Sequence, residues 1–188
     1  MKNEDLRVIK TRNALYNALI DLMKEKTFEE IKVSDICDRA LINRSTFYAH
    51  FDDKYQLLST LIDDLKKSLI NELKKNTNIN SVKDYYIEVI KIFLQHVEDK
   101  KDTYKAIAIN NRNSILVDII SDVIDNDIII HLNNDKSNNK SNIPENIIAK
   151  FFVGAVVNVG IYWIYNSNKY SKDEMLNYLI ELIPDELN

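Results

Sequence analysis

The chain has 188 residues, 45% of them apolar and 29% charged, with a formal net charge of −4. That is enough apolar material for a proper core in one domain or two small ones. Two Gly and two Pro leave little for tight turns between strands, a single Cys excludes an internal disulfide, and with this acidic balance strong nonspecific binding to polyanions is not expected. The fold expected is all-α.

Helical periodicity begins at about Asp5 and runs to Lys26, with Ile9, Leu15, Ala18, Leu19, Leu22 and Met23 as the apolar stripe. Phe28 and Ile31 lead into two short helices, about 33–40 and 44–51, joined by Leu41-Ile42-Asn43. Phe47 and Phe51 are four apart and share a face that can anchor the second of these helices to a core. Arg44, Ser45, Thr46, Tyr48 and His50, all hydrogen-bond donors, then point outward. A short helix anchored on one side and donor-rich on the other is the construction of a helix-turn-helix. Cys37 lies on the inner face of the first motif helix, where packing as a small hydrophobe is the first reading and redox sensing the second.

Asp52 or Asp53 can cap a long fourth helix, in which Leu57, Leu58, Leu61, Ile62, Leu65 and Leu69 fall near helical spacing, and Asn76 to Asn80 breaks it. Further helices are predicted at about 82–99, 102–110 and 115–132, and the Asn/Ser-rich segment 133–142 reads as a loop. Pro144 suits the first turn of a helix that runs to about Asn166, and a last helix covers Lys172 to Ile183. From Ile147 to Tyr165 only Lys150 and Asn158 interrupt the apolar run. Its unbroken pieces are too short for a membrane span, which needs about 20 apolar residues. A helix apolar nearly all round must instead be covered on several sides, and a second subunit is one way to cover it. The candidate contact is Phe151, Gly154, Ala155, Asn158 and Tyr162, the small residues allowing close approach.

The run Ala40 to Phe51, followed by Lys54 and Leu57-Leu58, resembles the DNA-binding module of the tetracycline-repressor (TetR/AcrR) family. Its most specific part is Thr46-Phe47-Tyr48-Ala49-His50-Phe51 with Lys54 three residues on. The motif-bearing resemblance covers roughly residues 5 to 68, and the helices after Pro144 more weakly resemble the dimer-forming end of a subgroup. It implies a three-helix reading head at 5–52 (motif about 32–51), a linking helix at 53–75, and a ligand-binding and dimerisation domain at 76–188, about nine helices in all. It also implies double-stranded operator DNA, a second copy of the chain and a small-molecule effector as partners. Two departures stand out. Leu41 replaces the usual Gly of the turn, where positive φ suits Gly best, so either some strain or a slightly different turn is expected. Lys32 replaces a Thr that would cap the first motif helix with Asp35.

On this resemblance Arg44 reads a base, with Asn43, Ser45 and Ala49 beside it. Ser34 touches a base or phosphate, Lys32 adds positive charge, and Thr46, Tyr48, His50 and Lys54 clamp phosphates. Residues 1–60 hold ten basic and ten acidic groups, so the head is neutral and local placement decides. Tyr85, Tyr86, Phe93, Tyr104, Phe152 and Tyr162 can line an effector pocket or simply fill the core.

No catalytic or metal chemistry is expected. His50, His96 and His131 fall in three different predicted helices, His96 and His131 read as surface or boundary residues, and Asp118, Asp122 and Asp125 read as a solvated face. There is no glycine-rich phosphate loop, no cofactor is called for, and no leader is visible in Met1 to Arg12, so a cytoplasmic location is expected. The reading is a homodimeric DNA-binding regulator, more a repressor than an activator. The competing one is a coactivator or ligand-binding module on the same fold that reads no operator.

Overall fold

A computed structural model describes residues 6–73, 82–111, 143–166 and 168–183. Among them eight helices form and no strand: α1 (Leu6–Met23), α2 (Val33–Ala40), α3 (Arg44–Tyr48), α4 (Lys54–Leu73), α5 (Val82–Asp99), α6 (Lys101–Asn110), α7 (Glu145–Tyr165) and α8 (Lys172–Glu181). The helix expected at 115–132, the loop at 133–142 and the break at Asn76 to Asn80 lie outside the described residues. No helix among the described residues is long and apolar enough to cross a membrane.

Two buried clusters organise these helices. The first joins Leu15, Leu19 and Leu22 of α1, Phe28 and Ile31 of the α1–α2 loop, Ile36 and Cys37 of α2, Phe47 of α3, Phe51, and Leu57 and Leu58 of α4. Ile107 of α6 enters the same cluster. Each large side chain so buried contributes about 1.5–3 kcal/mol, which is what holds a five-residue helix such as α3 in place. The second cluster joins Ile90, Leu94 and Val97 of α5, Trp163 and Ile164 of α7, and Met175 and Leu179 of α8. Gly160 lets α7 approach α5 closely, since a Cβ there would stand 3.3 Å from Phe93 Cε1.

α1 ends at Met23, the last residue of its stripe and three before the expected Lys26, because the chain turns at Lys24 to Lys26, with the Lys26 N–H donating to the Leu22 carbonyl at 3.0 Å. No glycine closes α1. The carbonyls at its end and in the turn after it are taken by side chains at the end of α6: Asn110 Nδ2 donates to Lys24 O at 2.7 Å, and Asn111 Nδ2 to Met23 O at 3.2 Å. Such orphan carbonyls at a helix end need partners wherever water is excluded. α8, by contrast, starts on a local signal. The Ser171 hydroxyl accepts from the Glu174 N–H at 3.2 Å, and the Glu174 carboxylate accepts from the Ser171 N–H at 2.8 Å.

Candidate nucleic-acid interface

The start of α2 compensates for its unusual first residue. Lys32 cannot accept a hydrogen bond, yet its backbone N–H still donates to Asp35 Oδ2 at 3.2 Å, which keeps one half of the capping pair. The Lys26 ammonium reaches the same carboxylate and, as the largest influence, holds the Asp35 carboxyl below its usual range. Arg39 grips Glu25 with two hydrogen bonds of 2.9 Å, tying the end of α2 to the turn after α1.

The turn into α3 is left-handed at Leu41, with φ 56° and ψ 42°, the single non-glycine positive φ among the described residues. The Leu41 N–H donates to Asp38 O at 3.3 Å and the Ile42 N–H to Cys37 O at 3.0 Å, closing the carbonyl end of α2 as a glycine would. The turn is therefore of the ordinary kind, held with a strained leucine. That side chain gains nothing within the subunit, being 93% exposed.

α3 is anchored from below. Phe47 is fully buried and Phe51 nearly so, their rings 6.0 Å apart, with Tyr16 of α1 at 6.3 Å from Phe51. The helix is shorter than the predicted 44–51: it spans Arg44–Tyr48, and the chain turns at Ala49 and His50 before Phe51. Asn43, Arg44, Ser45, Tyr48 and Ala49 are exposed, and Thr46 and His50 half-buried. The side chains of Asn43, Arg44, Ser45, Thr46, Tyr48 and His50 make no hydrogen bond or ion pair with other described residues. Tyr48 leans edge-on against Phe47 at 5.4 Å, which orients its hydroxyl without using it. Ser34 is half-buried and 3.4 Å from its neighbour Asp35; Lys32 is exposed. Beneath this surface burial pushes the Cys37 thiol up, against a smaller opposite pull from Arg44, which suits a packing role.

Lys54, which the resemblance makes a phosphate clamp, turns its ammonium onto the chain's own backbone in this structure. Its Nζ donates to the carbonyls of Phe28, Glu29 and Ile31, each at 2.8 Å, and sits 4.9 Å from the centre of the Phe28 ring. An ammonium has three donors, and all three are spent on the α1–α2 loop. Sequence reasoning missed this, along with Lys26, Arg39, Asn110 and Asn111. Their partners lie 9 to 88 residues away.

Elsewhere the expected groups separate. Phe93 and Tyr104 pack against the second cluster, and Tyr104 shares a 2.9 Å hydrogen bond with His96. His96 is thus a half-buried boundary residue, paired with Tyr104, and burial lowers its pKa. Burial raises the Tyr104 hydroxyl to about 12. Tyr162 does not join them: it is 49% exposed, 6.3 Å from Tyr170. The side chains of Tyr85, Tyr86 and Phe152 lie outside the described residues. Phe151, Ala155, Asn158 and Tyr162 are all exposed along one side of α7, and a Cβ added at Gly154 would meet nothing within 4 Å. Asn158 donates back to the Gly154 carbonyl at 2.7 Å. No group of His, Cys, Asp and Glu among the described residues could hold a metal ion.

Comparison with known proteins agrees with this geometry. A family model described as "Bacterial regulatory proteins, tetR family" matches residues 15–61, and the TetR_C_8 model, "Transcriptional regulator C-terminal region", matches residues 86–185. The chain is 40% identical over 73 residues to the uncharacterised HTH-type transcriptional regulator YxbF of Bacillus subtilis, covering 38% of this chain and 19% of that one. It is 30% identical over 105 residues to DhaS, the HTH-type transcriptional activator of the dhaKLM operon of Lactococcus lactis, covering 55% and 51% respectively. The chain thus spans about half or less of these curated relatives. In fold it is similar to Lin0861 of Listeria innocua, with a TM-score of 0.72, 22% identity, and 96% and 93% of the two chains covered.

Proposed function

The chain belongs to the TetR family of helix-turn-helix DNA-binding transcriptional regulators, and on that premise we propose that it acts as a homodimer on a palindromic operator. One observation carries the reading. A row of hydrogen-bonding side chains on α3, left without partners among the described residues, stands on two buried phenylalanines. Such a face gains its hydrogen bonds only when pressed against a polar surface of matching shape, and the major groove accepts a helix of this width.

Arg44 is placed to bind a guanine edge through two donors, with Asn43 and Ser45 beside it and the Ala49 methyl free to meet a thymine methyl. Thr46, Tyr48 and His50, with Lys32 just before α2, supply phosphate contacts that set register, and Ser34 of α2 meets a base or a phosphate. The exposed side of α7, from Phe151 through Gly154 and Ala155 to Tyr162, joins the two subunits. Occupying an operator blocks transcription without any further surface, so we propose repression. The likeness to DhaS, an activator, favours the second reading, activation from the same DNA-bound dimer. A reporter fused to the selected operator, with and without the protein, gives the sign.

The first test is selection of bound fragments from random duplex pools. A palindrome should be enriched, and Arg44→Ala should cost about 1–3 kcal/mol and flatten one position in each half-site. Were no sequence enriched at all, the chain would be a TetR-fold module that reads no operator.

A further inference from the structure

Asn111, at the end of α6, is only 4% exposed, and its amide is fully used. Oδ1 accepts from the Phe28 N–H at 2.7 Å, and Nδ2 donates to Met23 O at 3.2 Å and Ile107 O at 2.9 Å. Asn110 beside it donates to Lys24 O at 2.7 Å and Ala106 O at 3.3 Å. Each amide therefore has one hand on its own helix and the other on the reading head. The bonds to the head reach across 83 to 88 residues of sequence.

What they grip is the segment that leads into α2. Phe28 is held at its N–H by Asn111 of α6 and at its carbonyl by Lys54 of α4. Its ring is fully buried, edge-on to Tyr55 at 5.3 Å. On its other side α6 packs against α7, where the Tyr165 hydroxyl donates to the Ala108 carbonyl. One continuous set of contacts thus runs from α7 through α6 to the loop, and from the loop to α2 and α3. We propose that Asn110 and Asn111 are positioning residues for operator binding: they touch no DNA, but fix the angle between the α3 reading face and the α7 side. This rests on the dimeric operator reading above, in which that angle sets the distance between two half-sites. Only an amide fits at 111. A carboxylate would face the Met23 and Ile107 carbonyls with like charge, and an aliphatic group would leave the Phe28 N–H without a partner.

Two measurements on the full chain test this. The first needs no DNA. Nitroxides at Asp38→Cys on α2 and Asn177→Cys on α8, in a Cys37→Ala background diluted with unlabelled protein, report the head-to-body distance by pulsed electron resonance. The parent should give one narrow distance, Asn111→Ala a broad distribution, and Asn111→Gln a partial return. The second uses the palindrome selected by the parent, with its centre lengthened or shortened by one and two base pairs, beside a single half-site. Asn111→Ala should bind the half-site as the parent does, bind the palindrome about tenfold more weakly, and lose its preference for one spacing, because a loose joint lowers the effective concentration of the second head. If Asn111→Ala does not fold, the half-buried Asn110→Ala reads the same quantities. A folded variant with an unchanged distance distribution overturns the proposal. Failure of the parent to select a palindrome overturns the operator reading and leaves the distance measurement to decide the joint.

Discussion

Lys54→Met separates a phosphate clamp from a structural pin. Methionine keeps most of the apolar stem and removes all three donors. Of the three carbonyls that Lys54 holds, those of Phe28 and Ile31 are partly buried, while that of Glu29 is exposed and can turn to water. A hydrogen bond from a charged donor contributes about 1.5–3 kcal/mol, and two partly buried carbonyls lose theirs. Against this, the variant no longer has to bury an ammonium. Burial is the leading influence pushing the Lys54 pKa down, with Glu29 pulling the other way. The expected net loss is about 2–3 kcal/mol, read as a lower urea midpoint at unchanged slope. The second assay is operator affinity against salt. A phosphate contact contributes about 0.9 to the logarithmic slope, so a clamp in each subunit would remove about 1.8 per dimer. A structural pin predicts the slope of the parent. Full stability together with a slope lower by about two would show that Lys54 leaves the loop for the DNA, and the reasoning would be refuted.

Leu41→Gly should raise stability by about 0.5–1 kcal/mol, since a left-handed leucine costs about 1–2 kcal/mol and glycine returns part of that as unfolded-chain entropy; the side chain is 93% exposed, so no core is lost. A lower melting temperature would mean that the turn is not strained. Gly154→Glu should leave the subunit's helicity intact, because nothing lies within 4 Å of the new Cβ. In sedimentation it should behave as a monomer with weak operator binding, as two charges meet in one seam; a normal dimer would move the interface elsewhere. His96→Gln addresses pH. Burial lowers the His96 pKa, with Lys100 acting in the same direction and Asp99 and Glu72 against. The unfolded chain therefore takes up the proton first, near the ordinary value of about 6.5, and stability falls as pH drops below it. Glutamine should flatten that fall while still able to bond Tyr104, whereas carboxylates held low, such as Asp35 and Asp63, act only at more acid pH.

The helix-turn-helix was legible because its determinants are local. Phe47 and Phe51 are one turn apart, and the donors lie within seven residues, so the motif declares its anchored and open faces in a dozen letters. At Leu41 the sequence left strain or a slightly different turn open, and the structure holds a left-handed turn; the surplus of apolar residues between Ile147 and Tyr165 called for cover beyond one small bundle, and α7 keeps one side exposed in the subunit. Tertiary structure decided what each long side chain does with its charge or amide. That three carbonyls from 23 to 26 residues upstream converge on Lys54 is invisible in the letters around it. Asn110 and Asn111 look like a polar helix end until α1 arrives with carbonyls that lack partners. His96 and Tyr104 are bonded to one another, while Tyr162, an aromatic of the same kind, faces outward. Periodicity says which face of a helix is buried, but a hydrogen bond between residues 80 apart leaves no periodic trace. Its partners are chosen by packing, which brings an orphan backbone group and a distant donor into the same dry space.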